Sequence, residues 1–264
     1  MAPNTDAWPL ASAYGHQVAD DLFEHPRLAA VYDALDPDRS DLDAYAAIVT
    51  ELGAQLVLDV GCGTGTFALM LAERGVEVVA VDPAGASLDV ARAKPGADKV
   101  RWVHGDATAL PDELLGQIDL SVMTANVAQA IVDDRDWRRT LAGVRRCLRP
   151  GGYLVFETRR PEQRGWEEWT REQSETVTEV PGHGSIHHWE QLTDVSLPLV
   201  TFEAVRVFDN QTLTSSSTLR FRSEDEITAS LSFAGFDVRE VREAPDRPGR
   251  EWVFVAQRAK APKQ

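Results

Sequence analysis

The sequence predicts an α/β fold, with a mostly parallel sheet that carries helices on both faces and is interrupted by a β-rich insertion. Three observations predict it. Between residues 40 and 160, apolar strand-like runs and helical patterns alternate five times, which is typical of a doubly wound sheet. Over 161–222 the pattern changes to alternating apolar and polar residues, typical of antiparallel strands. From 223 onward one more helix and two more strands complete the main sheet.

The region before the insertion has clear helix and strand boundaries. A helix that begins after Ser40, a candidate N-cap, and ends at Gly53 leads into the first strand, "QLVLDVG". The helical segment "TFALMLAERG" ends at Gly75, and Pro95 ends the short helix "ASLDVARAK". The other strands are "VEVVAVD", "VRWVHGD", "IDLSVMTAN" and "YLVFET", and the amphipathic helix "DWRRTLAGVRRC" precedes the last of them.

The insertion is predicted to form an antiparallel lid over the carboxyl edge of the main sheet. Its strands are "SIHHWEQLTDV", "LVTFEAVRVF" and "TLTSSSTLRFR", and apolar residues alternate with polar ones along the last of these. Ser223 and Glu226 then form a capping box for the helix "SEDEITASLSFAG". The strands "DVREVREA" and "REWVFVAQR" return the chain to the main sheet.

Composition and charge exclude several classes of partner. The 264 residues include 27 Lys plus Arg and 42 Asp plus Glu, so the net charge of −15 would repel a phosphate backbone. Apolar runs stay below the roughly 18 residues needed to span a membrane, and the first residues lack the pattern of a signal peptide. We therefore expect a cytoplasmic protein with no nucleic-acid and no membrane partner. Cys62 and Cys147 suggest no disulfide framework.

Three glycines at alternate positions follow the first strand in "LVLDVGCGTGTFALML". In a doubly wound sheet the ligand lies at the carboxyl ends of the strands, so Gly61, Gly63 and Gly65 are candidates for the close approach of a nucleotide-like ligand. A tight strand-to-helix turn without a ligand is the alternative. The glycine spacing differs from the dinucleotide fingerprint, which disfavours an NAD-dependent oxidoreductase. Asp82, at the end of the second strand, can accept the hydroxyls of a ribose or cap a helix.

Four segments in this order resemble the class I S-adenosylmethionine (SAM)-dependent methyltransferases. They are "LDVGCGTGTF", "VAVDPA", "HGDATALP" and "LRPGGYLVFET". The resemblance implies a Rossmann-like methyltransferase fold, a doubly wound sheet of seven strands that are mostly parallel, with the last one antiparallel. It divides the chain into an N-terminal helical cap over 1–39, a SAM-binding domain over 40–160 and 223–264, and the antiparallel β insertion over 161–222 as an acceptor-binding lid.

The resemblance also implies which residues bind SAM, or the product S-adenosylhomocysteine. Asp59 would hold the ammonium of the methionine part, Asp82 the ribose hydroxyls, Asp106 the adenine amine with the backbone of Ala107 beside it, and Asn126 would face the sulfonium. The full expected set is Asp59, Gly61, Cys62, Gly63, Gly65, Asp82, Pro83, Asp106, Ala107, Asn126, Gln129, Tyr32 and Arg39.

The segment "VYDALDPDR", which contains Tyr32 and Arg39, precedes the sheet. In related enzymes an N-terminal helical segment folds over SAM and touches its carboxylate with a Tyr and an Arg. A surface ion pair of Arg39 with Asp36 or Asp38 is the alternative. Tyr14 is a candidate for substrate binding.

Candidates for acceptor chemistry lie in the insertion. His187 and His188 are adjacent on a predicted strand, so only one of them can face the cleft and act as general base. With His183 they form an HxxxHH pattern, but adjacent strand histidines diverge, so we expect no metal. Ordinary strand positions are the alternative for both histidines. Candidate aromatic residues of the acceptor pocket, unless they are core, are Trp166, Trp169 and Trp189.

The predicted reaction is the transfer of the SAM methyl group to an O or N atom of a small-molecule acceptor by in-line displacement. A sulfonium methyl is already electrophilic, so the protein mainly holds the acceptor in line and excludes water. The alternative is a SAM-binding protein that does not methylate, as a regulatory module or in a SAM-assisted rearrangement or cyclisation, because fold and cofactor loop do not fix the chemistry. A homodimer is one assembly open to such a protein.

Overall fold

The protein's structure, a computed structural model, describes residues 19–259 and contains two sheets. Numbered in chain order, the strands are β1 Leu56–Val60, β2 Glu77–Asp82, β3 Val100–His104, β4 Ile118–Met123, β5 Leu148–Arg159, β6 Thr176–Val180, β7 Gly184–Ser196, β8 Leu199–Phe208, β9 Gln211–Arg220, β10 Phe236–Glu243 and β11 Glu251–Arg258. The α-helices are α1 Asp21–Glu24, α2 Pro26–Leu35, α3 Asp41–Glu51, α4 Thr66–Glu73, α5 Gly85–Ala93, α6 Val127–Ala130, α7 Asp134–Cys147, α8 Arg171–Ser174 and α9 Glu224–Phe233.

The main sheet has seven strands in the order β10-β11-β5-β4-β1-β2-β3. Strand β11 is antiparallel to both of its neighbours, and the other pairings are parallel. The chain builds outward from β1 through β2 and β3, then crosses to β4 on the other side of β1. The crevice at the carboxyl ends of β1 and β4 is therefore the point where the strand order reverses. The predicted seven-stranded, mostly parallel sheet is confirmed.

Alternate strand residues form a core layer on each face of the main sheet. Leu58 and Leu154 point into the layer covered by α7 and α9, which contribute Trp137 and Ile227. Val57 and the other strand residues that point to the opposite face pack against α3 and α4. Two faces buried under helices explain why the central strands are mostly apolar.

The insertion forms a separate antiparallel sheet in the order β6-β7-β8-β9, which we call the insertion sheet. Three of its strands match the predicted ones, whereas β6 is an additional strand with a mostly polar, exposed sequence. Ser223 forms the predicted capping box with Glu226 at the start of α9. Ser40 precedes α3 as predicted, but its side chain makes no capping hydrogen bond to the described residues.

The N-terminal helices connect the two sheets. The backbone N–H of Leu22 donates to Ser215 Oγ of the insertion sheet over 2.8 Å, and Glu24 Oε2 accepts from Gly85 N over 2.6 Å at the start of α5. Asp33 of α2 accepts from the hydroxyl of Thr64 over 2.6 Å, in the glycine loop. Each helix within 19–259 falls short of the length and apolarity that crossing a membrane requires.

Candidate active site

A cavity of about 570 Å³ lies at the strand-order reversal, between the carboxyl edge of the main sheet, the helices α1 and α2, and the insertion sheet. Three separate parts of the chain thus form its walls, which places the insertion and the N-terminal segment opposite the glycine loop. Its lining includes most of the residues predicted to bind a cofactor, namely Tyr32, Arg39, Gly61, Cys62, Gly63, Asp82, Pro83, Asp106, Ala107 and Asn126.

The three loop glycines are required for different reasons, although all have positive φ angles. A Cβ on Gly61 would lie 2.6 Å from a methyl carbon of Val127, and one on Gly65 would lie 2.5 Å from the ring of Trp102. A Cβ on Gly63, with φ +52°, would have no described atom within 4 Å. Packing within the protein therefore explains the absence of side chains at Gly61 and Gly65. Gly63 is the position where bare backbone borders open space in the cavity.

Asp82, at the end of β2, fixes the loop that contains Gly63. Its Oδ2 accepts from Gly63 N and its Oδ1 from Ala84 N, both over 2.7 Å. Burial raises the pKa of this carboxyl, and the two backbone N–H donors oppose that rise. The bond to Ala84 closes a turn just before α5 but does not cap that helix, so the helix-capping alternative is not confirmed. Because each carboxylate oxygen accepts more than one hydrogen bond, the aligned side chain can still receive hydroxyl donors from the cavity.

Asp59 of β1 lies directly behind the cavity wall formed by Val60 and Gly61. Its side chain is buried, and neither carboxylate oxygen has a hydrogen-bond partner among the residues that the structure describes. Burial, together with the nearby charge of Asp82, raises the pKa of Asp59 to about 7, and Arg39 opposes the rise. A buried carboxylate without a donor is unfavourable, so a cationic ligand group at this place would stabilise it.

Asp106 and Ala107 follow β3 in a turn of fixed geometry. Asp106 Oδ1 accepts from the backbone N–H of Thr108 over 2.7 Å and from its hydroxyl. Ala107 is buried, and helix α7 passes so close that a Cβ on Gly143 would lie 2.2 Å from the Ala107 carbonyl oxygen. This helix contact and the Asp106 turn hold both residues at the cavity edge.

A buried carboxylate pair that the sequence did not suggest holds Asn126. Ala125 and Asn126 both have positive φ, 55° and 61°, an uncommon conformation for residues with side chains. Glu157 of β5 accepts from Asn126 N over 3.1 Å and also from the hydroxyl of Tyr45. Glu251 of β11 accepts from Asn126 Nδ2 over 3.4 Å. These contacts stabilise the strained turn that places Asn126 in the cavity wall.

Gln129 has a different role from the predicted one. It is buried in α6, and its Oε1 accepts from Arg159 Nη1 over 3.1 Å. Arg159 Nε also lies 3.6 Å from Glu251 Oε1, and Arg159 itself lines the cavity. Gln129 therefore orients a cavity residue from behind. Gly65, packed against Trp102, likewise lies outside the cavity lining, so the cofactor-contact predictions for Gly65 and Gln129 need this correction.

The N-terminal segment contributes Tyr32 and Arg39 to the cavity wall, as the resemblance implies. Tyr32 is half-buried, and its ring lies 5.5 Å from that of Phe23. Arg39 pairs with Asp41 over 3.2 Å, so neither Asp36 nor Asp38 is its ion-pair partner. Tyr14, the predicted substrate-binding residue of this segment, lies outside the described residues.

The two adjacent histidines point to opposite faces of β7, as the strand geometry requires. His188 is buried, lines the cavity, and has its Nε2 3.0 Å from Thr178 Oγ1. His187 lies on the outer face, with its Nε2 2.6 Å from Glu175 Oε1. Burial and the charge of Arg206 lower the pKa of His188, so its imidazole is neutral at neutral pH. The geometry removes His187 as a candidate base and leaves His188.

The prediction of Trp166 and Trp189 as pocket residues is wrong. Trp166 is buried in the core of the insertion, with its ring 4.6 Å from Phe221. Trp189 lies on the outer face of β7, below the Arg171 guanidinium at 4.1 Å. Trp169 does line the cavity. Further lining residues from the insertion sheet, which the sequence did not single out, are Glu190, Phe202, Arg206, Ser217 and Leu219.

Comparison with known proteins agrees with this arrangement. Residues 57–152, which run from β1 to the start of β5, match the family model described as a methyltransferase domain. Residues 57–152 are a methyltransferase domain. A demethylmenaquinone methyltransferase of Clavibacter sepedonicus is 36% identical over 111 residues, which are 41% of this chain and 42% of that protein. The chain spans about half the length of the curated relatives it matches.

Solved structures extend the likeness of the methyltransferase domain to most of the chain at the level of fold. The sugar N-methyltransferase KedS8 from Streptoalloteichus sp ATCC 53650 has a TM-score of 0.68 at 20% identity, covering 97% of this chain and 100% of its own. CalS10, an amino pentose methyltransferase from Micromonospora echinaspora solved with SAM bound, has a TM-score of 0.65 at 23% identity, covering 87% and 97%. The solved structures confirm the predicted fold, and the match of residues 57–152 to the methyltransferase domain agrees with the predicted family.

Proposed function

We propose that this protein binds SAM in the cavity and transfers its methyl group to an oxygen or nitrogen atom of a small-molecule acceptor. The observation that carries the proposal is the set of groups around one cavity: the exposed backbone of Gly63, the oriented carboxylate of Asp82 and the buried, unpaired carboxylate of Asp59. Such a set fits a ligand with a ribose and a cationic amino-acid part, and it lies in a methyltransferase domain.

Different residues of the site would bind different parts of SAM. Asp82 would accept from the ribose hydroxyls, and Asp106 with Ala107 would bind the adenine edge. Asp59, directly or through water, would pair with the methionine ammonium, while Tyr32 and Arg39 would cover its carboxylate. Bound SAM supplies a methyl group on a positively charged sulfur, which a nucleophile in line with the carbon–sulfur bond can displace.

The insertion sheet would complete the reaction site as an acceptor-binding lid. Holding a nucleophile in line at near-attack distance can supply roughly 7 to 11 kcal/mol of the barrier, and the enclosed cavity excludes water. His188 is the proposed general base for an acceptor hydroxyl or ammonium, because its neutral imidazole borders the cavity. The names of the structural neighbours, an amino pentose and a sugar N-methyltransferase, support a small acceptor.

Ligand binding tests the first half of the proposal. SAM and S-adenosylhomocysteine should each raise the melting temperature, since a ligand at 100 times its Kd adds about 2.7 kcal/mol of stability, whereas NAD should not. Asp82→Ala should remove most of the adenosyl-ligand shift. An equal shift with NAD, or no shift with either adenosyl ligand, would refute the proposed cofactor.

Labelled methyl transfer tests the second half. The protein is incubated with methyl-labelled SAM and an acceptor panel, and His188→Ala is compared with the matched outer-face variant His187→Ala. We expect the His188 variant to lose about 10²- to 10⁴-fold in rate for a hydroxyl acceptor, with adenosyl-ligand binding kept in both variants. Equal loss in both variants would remove His188 as the base. Firm SAM binding without label transfer to any acceptor would favour the SAM-binding, non-methylating alternative.

A further inference from the structure

The inner face of the insertion sheet carries polar side chains where it borders the cavity. His188 and Glu190 alternate on one face of β7, and Arg206 of β8 is directly opposite His188 in the strand pairing. On β9, Ser217 is opposite Phe202 of the same face. A sheet face that packs only on protein is normally apolar, so this row of polar residues indicates another partner for it.

Glu190 and Arg206 form an ion pair that is incompletely hydrogen-bonded. Arg206 Nη2 donates to Glu190 Oε1 over 2.8 Å, and Arg206 Nη1 donates to the carbonyls of Trp189 and Val205. Glu190 Oε2 and Arg206 Nε are both buried, and the hydrogen bonds formed between described residues leave both atoms without a partner. Buried polar groups are usually satisfied, so a pair of residues that lines the cavity has one acceptor and one donor still without a partner.

Aromatic rings lie next to this pair. Trp169 and Phe202 both line the cavity, and their ring centroids are 4.8 Å apart. Ring faces of this kind pack on flat C–H surfaces, whereas the Glu190–Arg206 pair exchanges hydrogen bonds with hydroxyl or amino groups. The wall combines an aromatic patch, formed by two rings tilted at 52° to each other, with the Glu190–Arg206 pair.

Resting on the proposed function, we infer that the methyl acceptor is a hydroxylated ring compound, whose ring packs on Trp169 and Phe202 and whose adjacent hydroxyl or amino groups bind Glu190 Oε2 and Arg206 Nε. Glu190 and Arg206 are then specificity-determining residues. An apolar ring of the same size would leave both buried atoms unsatisfied, so the site would reject it.

The test compares six-membered ring compounds that carry several adjacent hydroxyl groups with ring compounds of the same size that carry a single polar group. Protein loaded with S-adenosylhomocysteine is titrated with glucosamine and myo-inositol, and in parallel with cyclohexylamine and cyclohexanol, by calorimetry. Glucosamine should bind about 10- to 100-fold more tightly than cyclohexylamine, or myo-inositol more tightly than cyclohexanol by the same factor, because a single polar group cannot satisfy both buried atoms. Equal or tighter binding of the singly substituted rings, or no binding of either polyhydroxylated compound, overturns the inference.

Variants on the two faces of the insertion sheet assign the effect to Glu190. In Glu190→Gln the amide oxygen takes the place facing Arg206, so an NH₂ donor replaces the free acceptor, and binding of the hydroxylated compound should fall about 10- to 100-fold. Glu203→Gln, at an outward-facing position of β8 opposite Gln191, is the matched control and should bind like the native protein. An unchanged affinity in Glu190→Gln overturns the assigned role.

The binding of S-adenosylhomocysteine separates the two levels of inference. If S-adenosylhomocysteine stabilises the native protein and Glu190→Gln equally, but the hydroxylated ring compounds do not bind as expected, only the acceptor class is wrong. If it stabilises neither protein, the proposed function itself fails.

Discussion

The buried carboxyl of Asp59 should make SAM binding depend on pH. Its pKa is raised to about 7 by burial and by Asp82, against an ordinary value of 3.8. The stability that this carboxyl contributes is therefore fully present below pH 3.8 and is lost as the pH rises through 7. At pH 8 the ionised group destabilises the unliganded protein by about 4 kcal/mol. A ligand ammonium that pairs with Asp59 stabilises the ionised form and would recover part of that free energy.

The size of the effect on affinity follows from the same pKa. At pH 6 about one Asp59 carboxyl in ten is ionised, and at pH 7.5 most of them are. If only the ionised form pairs with the ammonium, the Kd for SAM should be about tenfold weaker at pH 6 than at pH 7.5. Binding at pH 6 should also release close to one proton, because the ligand ammonium lowers the pKa of Asp59.

Calorimetric titration at pH 6 and 7.5, in buffers of different ionisation enthalpy, measures both quantities. The control ligand is methylthioadenosine, which has the adenosine but lacks the amino-acid part and should bind with little dependence on pH. Asp59→Asn should abolish the pH dependence for SAM, bind it more weakly at pH 7.5 and make the unliganded protein more stable at pH 8. An identical pH profile for the two ligands, or an unchanged profile in Asp59→Asn, would refute the role of Asp59.

Three further variants test the loop, the buried network and the core. Gly63→Ala should reduce the melting shift given by S-adenosylhomocysteine, because φ is +52° and the new methyl would enter the cavity; an undiminished shift would contradict this. Tyr45→Phe removes a donor from the buried Glu157 and should lower the free energy of unfolding by about 1–3 kcal/mol, measured by denaturant unfolding; no loss would show that the bond is dispensable. Leu58→Ala should lower it by about 2–5 kcal/mol by the same assay, and a smaller loss would mean that the core repacks.

Most of the main sheet could be predicted because its signals are local. The mostly apolar strands β1 and β2 are buried on both faces, and Gly53 and Gly75 follow the helices that precede them. The strand β6 gave no such signal, because "TVTEV" is mostly exposed and its pairing with β7 supplies its structure. The antiparallel direction of β11 was predicted from the resemblance to the methyltransferases, because the periodicity of a strand does not show whether it pairs parallel or antiparallel.

Some site residues could likewise be predicted from the sequence, whereas others depend on the pairing of distant strands. Asp59, Asp82, Asp106 and Asn126 lie in or just after parallel strands, so their approach to one edge follows from the topology. Glu251 could not be predicted, because it reaches the site only through the pairing of β11 with β5, where it is directly opposite Arg159. The periodicity of β7 showed that one of two adjacent histidines faces inward, but only the position of the strand in the insertion sheet identifies His188.

The positions of the buried carboxylates explain why such a cavity suits a cationic ligand. Burial raises the pKa of Asp59, Asp82 and Glu157, which lie near the carboxyl ends of β1, β2 and β5 at one edge of the main sheet. Each ionised form is unfavourable in the unliganded protein, since its hydration has been lost. A ligand that carries a sulfonium and an ammonium places positive charge where these groups need it. Part of the binding free energy of such a ligand would thus come from stabilising the ionised carboxylates that folding has buried. An uncharged nucleoside could not stabilise them in this way.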